Sequence, residues 1–136
     1  MKKLIKGAII VLILVITCIW YFIFYHPSCY KRDVAKENSV IVNAVNMVKQ
    51  YKENEDSANL KYLNKVVEIK GIISSVDKNQ KGEVTLILKG PDEFSNVFLT
   101  LQNNKNRVNP GESVVLKGIC TGYLMDVIVI DAIVIS

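Results

Sequence analysis

Residues 7–25 form one apolar run with no charge, and Thr17 is its only hydroxylated aliphatic residue. Beyond it the hydrophobic pattern changes twice. Val34, Ile41, Ala44, Val45, Val48 and Tyr51 recur at helical steps, which predicts an amphipathic helix with Asp33 or Ser39 as its cap. The polar run 53–56 closes it. Asp56 is expected to cap a second short helix over 57–63, and Asn64 fits a left-handed residue at that helix's C-terminal end.

From Lys65 onward the period is two. Val67, Ile69, Gly71 and Ile73 alternate with Glu68, Lys70 and Ile72, and this reads as a first strand. The polar segment 77–82 turns into a second strand, 84–89, with Val84, Leu86 and Leu88 on one face. Gly90-Pro91-Asp92 precedes a third strand, 97–102. The run 103–109 ends in Pro110-Gly111, a pair suited to a type II turn. A fourth strand, 113–123, and a fifth, 127–135, complete the chain. Five strands in so short a stretch predict closure into a small barrel, which leaves no edge to protect. Gly71 and Gly118 each fall in mid-strand, where a barrel strand bends or bulges.

A helix over 7–25 rises about 1.5 Å per residue and so matches the roughly 30 Å hydrocarbon core of a bilayer. Trp20, Tyr21 and Tyr25 gather at its C-terminal end, as interfacial aromatics do. Lys2, Lys3 and Lys6 precede it and favour a cytoplasmic N-terminus, while Lys31, Arg32 and Lys36 follow on the far side. A cleaved signal peptide needs a shorter core and small residues at the cleavage point, but here bulky aromatics continue to Tyr25. Val15-Ile16-Thr17-Cys18 is a poor imitation of a lipidation site. An uncleaved signal anchor over 1–25 therefore fits best. A juxtamembrane linker, 26–33, then leads to an extracytoplasmic domain, 34–136, on a single-pass protein of the inner (cytoplasmic) membrane.

Composition sharpens this division. The 136 residues are 50% hydrophobic and 22% charged, with a mean hydropathy of +0.24 that the N-terminal run explains. The net charge of +4 is likewise mostly N-terminal: apart from Lys2, Lys3 and Lys6, 14 basic residues face 13 acidic ones, a net of +1. These charges are interspersed along the chain and form no basic stripe of the kind that marks a nucleic-acid binder. Three cysteines are too few for a disulfide framework. Cys18 falls in the apolar run and Cys120 on a strand, and nothing in the spacing favours a Cys29–Cys120 bridge.

The inventory for catalysis is thin. His26 is the single histidine, sits beside Pro27 and has no partner motif. Asp126 and Asp131 read as a turn residue and an exposed strand position, because no third ligand accompanies them. No glycine-rich loop precedes a helix. The expectation is a non-enzyme with no catalytic residues, no metal and no cofactor.

Two segments carry the resemblance to a known family. The opening Asn59-Leu60-Lys61-Tyr62-Leu63-Asn64-Lys65-Val66-Val67-Glu68-Ile69-Lys70-Gly71 resembles that of the bacterial tRNA_anti-like OB-fold family, whose members often carry Gly where this chain has Asn64. The stretch from Val115 through Gly118, Gly122 and Tyr123 to Val127 is similar to the family's most recognisable segment. The resemblance covers roughly residues 34–136. It implies a five-stranded OB-fold barrel with an N-terminal helix, in small exported proteins of which some are called lipoproteins. It transfers a fold and not a partner.

OB folds bind single strands through a basic groove with stacking aromatics. Phe98, with Phe94, Lys89, Lys105 and Arg107, is a sparse version of that pattern. Val97, Leu99 and Leu101 alternate with it, and Phe98 is expected to pack in the barrel or under the helix. Gly122-Tyr123-Leu124-Met125-Asp126 is unusual chemistry for a hairpin tip, which normally carries small polar residues. Tyr123, Leu124 and Met125 either cap the barrel and receive the helix or stay exposed as a partner-binding patch beside Asp126. The expected function is a membrane-anchored, non-catalytic OB-fold module whose partner is an envelope protein, peptide or glycan. Single-stranded nucleic acid is the alternative partner.

Overall fold

The computed structural model describes residues 1–25 and 32–136, which divide into two compact units, Met1–Arg32 and Asp33–Ser136. The first unit contains one helix, α1 (Lys2–Tyr25), whose apolar window is long and hydrophobic enough to cross a membrane. A signal sequence would meet the same criterion. His26, Pro27, Cys29 and Lys31 lie outside the described residues.

The second unit is a closed barrel with two short helices packed into it. Its elements are β1 (Val40–Asn43), α2 (Ala44–Glu53), α3 (Glu55–Tyr62), β2 (Val66–Lys78), β3 (Val84–Leu88), β4 (Val97–Leu101), β5 (Ser113–Leu124) and β6 (Asp126–Val134). Closure depends on β2. Its first half, from Val66 to Ile72, pairs antiparallel with β5, and its second half, from Ile73 to Lys78, pairs antiparallel with β3. The ladder then runs β3–β4–β6–β5 and returns to β2, with β4 and β6 parallel. This is the predicted five-stranded OB-fold barrel.

The two mid-strand glycines serve different purposes. At Gly118 the β5–β6 register shifts between Lys117 and Ile119, and a Cβ there would lie 2.6 Å from Val129 Cγ1. β5 therefore bulges where β6 presses closest. Gly71 pairs regularly with Val114, and the β2 register shift falls later, between Ile73 and Ser75. A Cβ on Gly71 would meet Ala44 Cβ at 3.0 Å, so Gly71 makes room for the start of α2. Gly111, at φ 88, sits where a type II turn needs a positive φ, and Glu112 N donates to Asn109 O across that turn. Asn64 is left-handed, at φ 60, as predicted.

The segment before the barrel departs from the sequence reading. The predicted long helix begins only at Ala44, because the Asn43 side chain accepts from Val45 N and caps it there. The β-branched run Val40-Ile41-Val42 instead extends as a sixth strand, parallel to the start of β2. Ile41 points outward and is 77% exposed. Val34 lies in a turn and packs with Val66 and Ile119 in a small cluster separate from the main core. Lys117, nearly buried on β5, clamps this segment by donating from Nζ to Ala35 O (3.2 Å) and Glu37 O (2.6 Å). The second helix is capped by Asn54, whose side chain accepts from Ser57 N, and not by Asp56.

Ala44, Met47, Val48 and Tyr51 follow i, i+3, i+4, i+7 spacing and face the barrel core, joined by Ala58 and Tyr62 of α3. Strand residues Ile69, Leu86, Leu99, Leu116 and Val129 complete that core. The helices thus plug the barrel at the end where Lys52 pairs with Asp92 and Tyr51 stacks on Tyr123.

Candidate binding face

Strand alternation determines the outer face. On β3, β4 and β6 the inward positions Leu86, Leu88, Val97, Leu99, Val127 and Val129 are fully buried. Their neighbours Ile87, Phe98 and Ile128 must therefore point outward. Register places these three side by side, with Ile87 opposite Phe98 and Phe98 opposite Ile128. All three are half-buried. Phe98 is therefore not a core residue, which corrects the sequence expectation; Val97, Leu99 and Leu101 already fill the interior that it was expected to share.

One end of this row is framed by two loops that are tied together. In loop 90–96, Asp92 Oδ1 accepts from Phe94 N and Ser95 N, and Asn96 Oδ1 accepts from Gly90 N. The Lys52 ammonium hydrogen-bonds the Asp92 carboxylate and holds its pKa below the usual carboxylate value. Asn96 N in turn donates to Asp126 Oδ1 at 2.8 Å, and Val127 N donates to Asn96 O at 3.0 Å. Asp126 is thus the link between this loop and the β5–β6 hairpin. Phe94 stands 80% exposed on the loop.

The hairpin tip divides its apolar residues. Tyr123 turns inward and stacks on Tyr51, with ring centroids 5.4 Å apart and planes 17° from parallel. Leu124 and Met125 point outward, 79% and 73% exposed. The helix-receiving role expected for this segment therefore falls to Tyr123 alone. Beneath it, the Tyr51 hydroxyl lies 3.4 Å from Cys120 Sγ, and burial pushes both the phenol and the thiol up. Cys120 is fully buried, and Cys29 lies outside the described residues. Glu55 and Asn59 of α3 and Leu63 just after it form, with Tyr123, Leu124 and Ile128, a cleft of about 410 Å³.

At the other end of the face, Asn104 joins the β2–β3 and β4–β5 loops, accepting from Val84 N and donating to Gly82 O. Lys78, Lys81, Lys105 and Arg107 are exposed there, interspersed with Asp77 and Glu83. Asp131 sits on β6 at φ 51 and is half-buried, so it is not the exposed strand position expected. Among the described residues no three His, Cys, Asp or Glu side chains group as a metal site. The apolar neighbours of Phe98 escaped the sequence reading, although the alternation in 84–89 that put Leu86 and Leu88 inside also put Ile87 outside.

The fold is similar to a Klebsiella pneumoniae protein described as a "putative nucleic acid-binding lipoprotein", at a TM-score of 0.57 and 15% identity, covering 79% of this chain and all of that one. Weaker similarities reach an aspartyl-tRNA synthetase structure from Leishmania major (TM-score 0.46, 10% identity, 80% of this chain and 22% of that one). They also reach yeast Stn1 and Ten1 (TM-score 0.45, 12% identity, 74% and 65%). No curated protein sequence matches the chain. The tRNA_anti-like family model matches residues 1–133, and with the barrel closed as that family's fold requires, the chain belongs to the tRNA_anti-like family.

Proposed function

We propose that this protein is a membrane-tethered, non-catalytic binding module that holds an extended segment of an envelope protein, a peptide or a glycan across the outer face of β3, β4 and β6. The Ile87–Phe98–Ile128 row carries this reading. OB folds take their ligands on the equivalent face, and here the face is apolar at its centre with mixed charges at its rim. That anatomy suits a peptide or sugar ring better than a polyanion.

Under this reading α1 is an uncleaved anchor and the barrel lies outside the cytoplasm. Tagged full-length protein should resist alkaline carbonate extraction and retain Met1 or Lys2 at its N-terminus. A mature form beginning at Cys18 or after Tyr25 would refute the anchor.

Single-stranded nucleic acid is the second reading, favoured by the similarity to the Klebsiella lipoprotein and by Phe98 and Phe94 on a face with Lys89 at one end and Lys105 and Arg107 at the other. The two readings differ in an oligonucleotide titration. With a net charge of +1 from Lys31 onward and −1 over the barrel unit itself, binding to single strands at physiological salt should be weaker than micromolar and little changed in Phe98→Ala. Micromolar or tighter binding that falls steeply with salt and is lost in Phe98→Ala would reverse the ranking.

A further inference from the structure

We infer that the cleft between α3 and the β5–β6 hairpin is a subsite for a cationic side chain, lysine or arginine, of an extended peptide lying on the outer face. The inference rests on the reading of that face as a binding surface and names the chemistry of its ligand. The two are continuous. Ile128 is the last residue of the apolar row and also lines the cleft, so a peptide that crosses Phe98 reaches the cleft at Ile128.

The walls of the cleft are apolar, and the polar side chains among them accept. Leu63, Tyr123, Leu124 and Ile128 line it, a surface suited to the methylene stem of a long basic side chain. Glu55 is exposed and has no hydrogen bond or ion pair among the described residues. The Thr121 hydroxyl donates its one proton to Ile128 O at 3.2 Å and so keeps only lone pairs for a ligand. The Asn59 amide oxygen is buried with no donor at all, a rarity in a folded protein that calls for a cause. Its side chain makes no hydrogen bond among the described residues, which leaves the amide free to turn about its broad terminal torsion toward a donor in the cleft. An ammonium or guanidinium, which only donates, is the complement of this set.

Charge selects the same ligand. The segments that meet at this end of the face, 52–56, 89–96 and 124–126, carry six carboxylates against two lysines, Lys52 and Lys89. The lysines close by are engaged elsewhere: Lys52 with Asp92, Lys61 with Gln50 and Lys65 with Leu60 O. A cation entering the cleft therefore meets a field that favours it, whereas a phosphate backbone is repelled. A carboxylate in the first turn of α3 also suits the helix dipole. Asp56 serves that purpose as well as Glu55, and the dipole accounts for neither the orphaned Asn59 oxygen nor the apolar walls.

The test selects random short peptides displayed on phage against the full-length protein in detergent micelles and sequences what is retained. Retained peptides should share apolar positions and one position enriched in lysine and arginine by about fivefold or more over the library. Glu55→Gln should remove that enrichment, and Glu55→Lys should turn the same position toward aspartate and glutamate. A merely structural Glu55 would produce no such reversal. Thermal unfolding confirms that both variants are folded, and Glu55→Gln alone suffices if the reversed charge is not tolerated. Phe98→Ala should abolish the apolar consensus, which tests the underlying reading by itself. An apolar consensus that depends on Phe98 but has no cationic position overturns the subsite and leaves the face standing. A cationic position that Glu55→Gln and Glu55→Lys leave unchanged overturns it too, since the cation would lie elsewhere. If no consensus depends on Phe98, the reading of the face falls and the subsite with it.

Discussion

Gly118→Val should destabilise the barrel by about 3 kcal/mol, at the upper end of what overpacking a core costs. Even a single Cβ at this position would sit 2.6 Å from Val129 Cγ1 and 3.1 Å from both Ala132 Cβ and Ile130 O. Valine adds two methyl groups that need the same space. The backbone cannot easily retreat, because Gly118 pairs with Val67 on β2 and lies in the register shift with β6 on its other side. Any displacement would loosen the two seams that close the barrel. Gly82→Ala is the matched control: nothing lies within 4 Å of its Cβ, and only its φ of 79° opposes the change. It should cost about 1 kcal/mol. Urea unfolding in detergent micelles, followed by the near-ultraviolet tyrosine signal, would measure both. A Gly118→Val midpoint within experimental error of the native one would mean that β5 and β6 are not pressed together there.

The barrel was legible in the sequence wherever the period-two pattern was strong. Val84, Leu86 and Leu88 alternate cleanly and are buried as predicted, and Pro110-Gly111 marks its turn through chemistry that only glycine satisfies without strain. β1 was not legible, because its four residues gain their conformation from pairing with β2, about 27 residues later in the chain. Residues 34–51 also carry a spacing that fits a helix, and in a run so short the helical and extended periods are hard to separate. Asn43 was the signal that settles the boundary. It is a good capping residue directly ahead of Ala44, and Asp33 and Ser39 drew attention from it.

The candidate face was half-legible for a related reason. Alternation divides a strand into two faces and assigns the fuller one to the core, so Val97, Leu99 and Leu101 carried the signal that Phe98 lies outside, against the expectation that it packs in the barrel or under the helix. What the sequence does not reveal is which outward residues become neighbours. Ile87, Phe98 and Ile128 belong to three strands spread over some 40 residues, and only the β3–β4–β6 order brings them into one row. The hairpin tip was legible as odd chemistry, but its division into an inward Tyr123 and an outward Leu124 and Met125 depends on where Tyr51 lies.

Tyr51→Ala should destabilise the barrel unit by about 4 kcal/mol, the range expected when a buried aromatic is cut to a methyl group. Tyr51 is the largest buried side chain of α2, lying between Tyr62, at 6.0 Å between ring centroids, and Tyr123, at 5.4 Å, with its hydroxyl against Cys120. Its removal would leave a void beneath the plug, and Tyr123 would lose the ring it stacks on. Tyr51→Phe keeps that volume and gives up only the hydroxyl contact with the Cys120 sulfur, a weak one, so it should cost about 1 kcal/mol or less. Tyr123→Ala should fall between the two, because its ring is half-buried, whereas Met125→Ala should change stability by no more than about 0.5 kcal/mol. Thermal unfolding of the four variants, compared under one condition, tests the whole order. If Met125→Ala destabilised as much as Tyr123→Ala, the hairpin tip would be packed against the barrel, and its surface would not be free to meet a ligand.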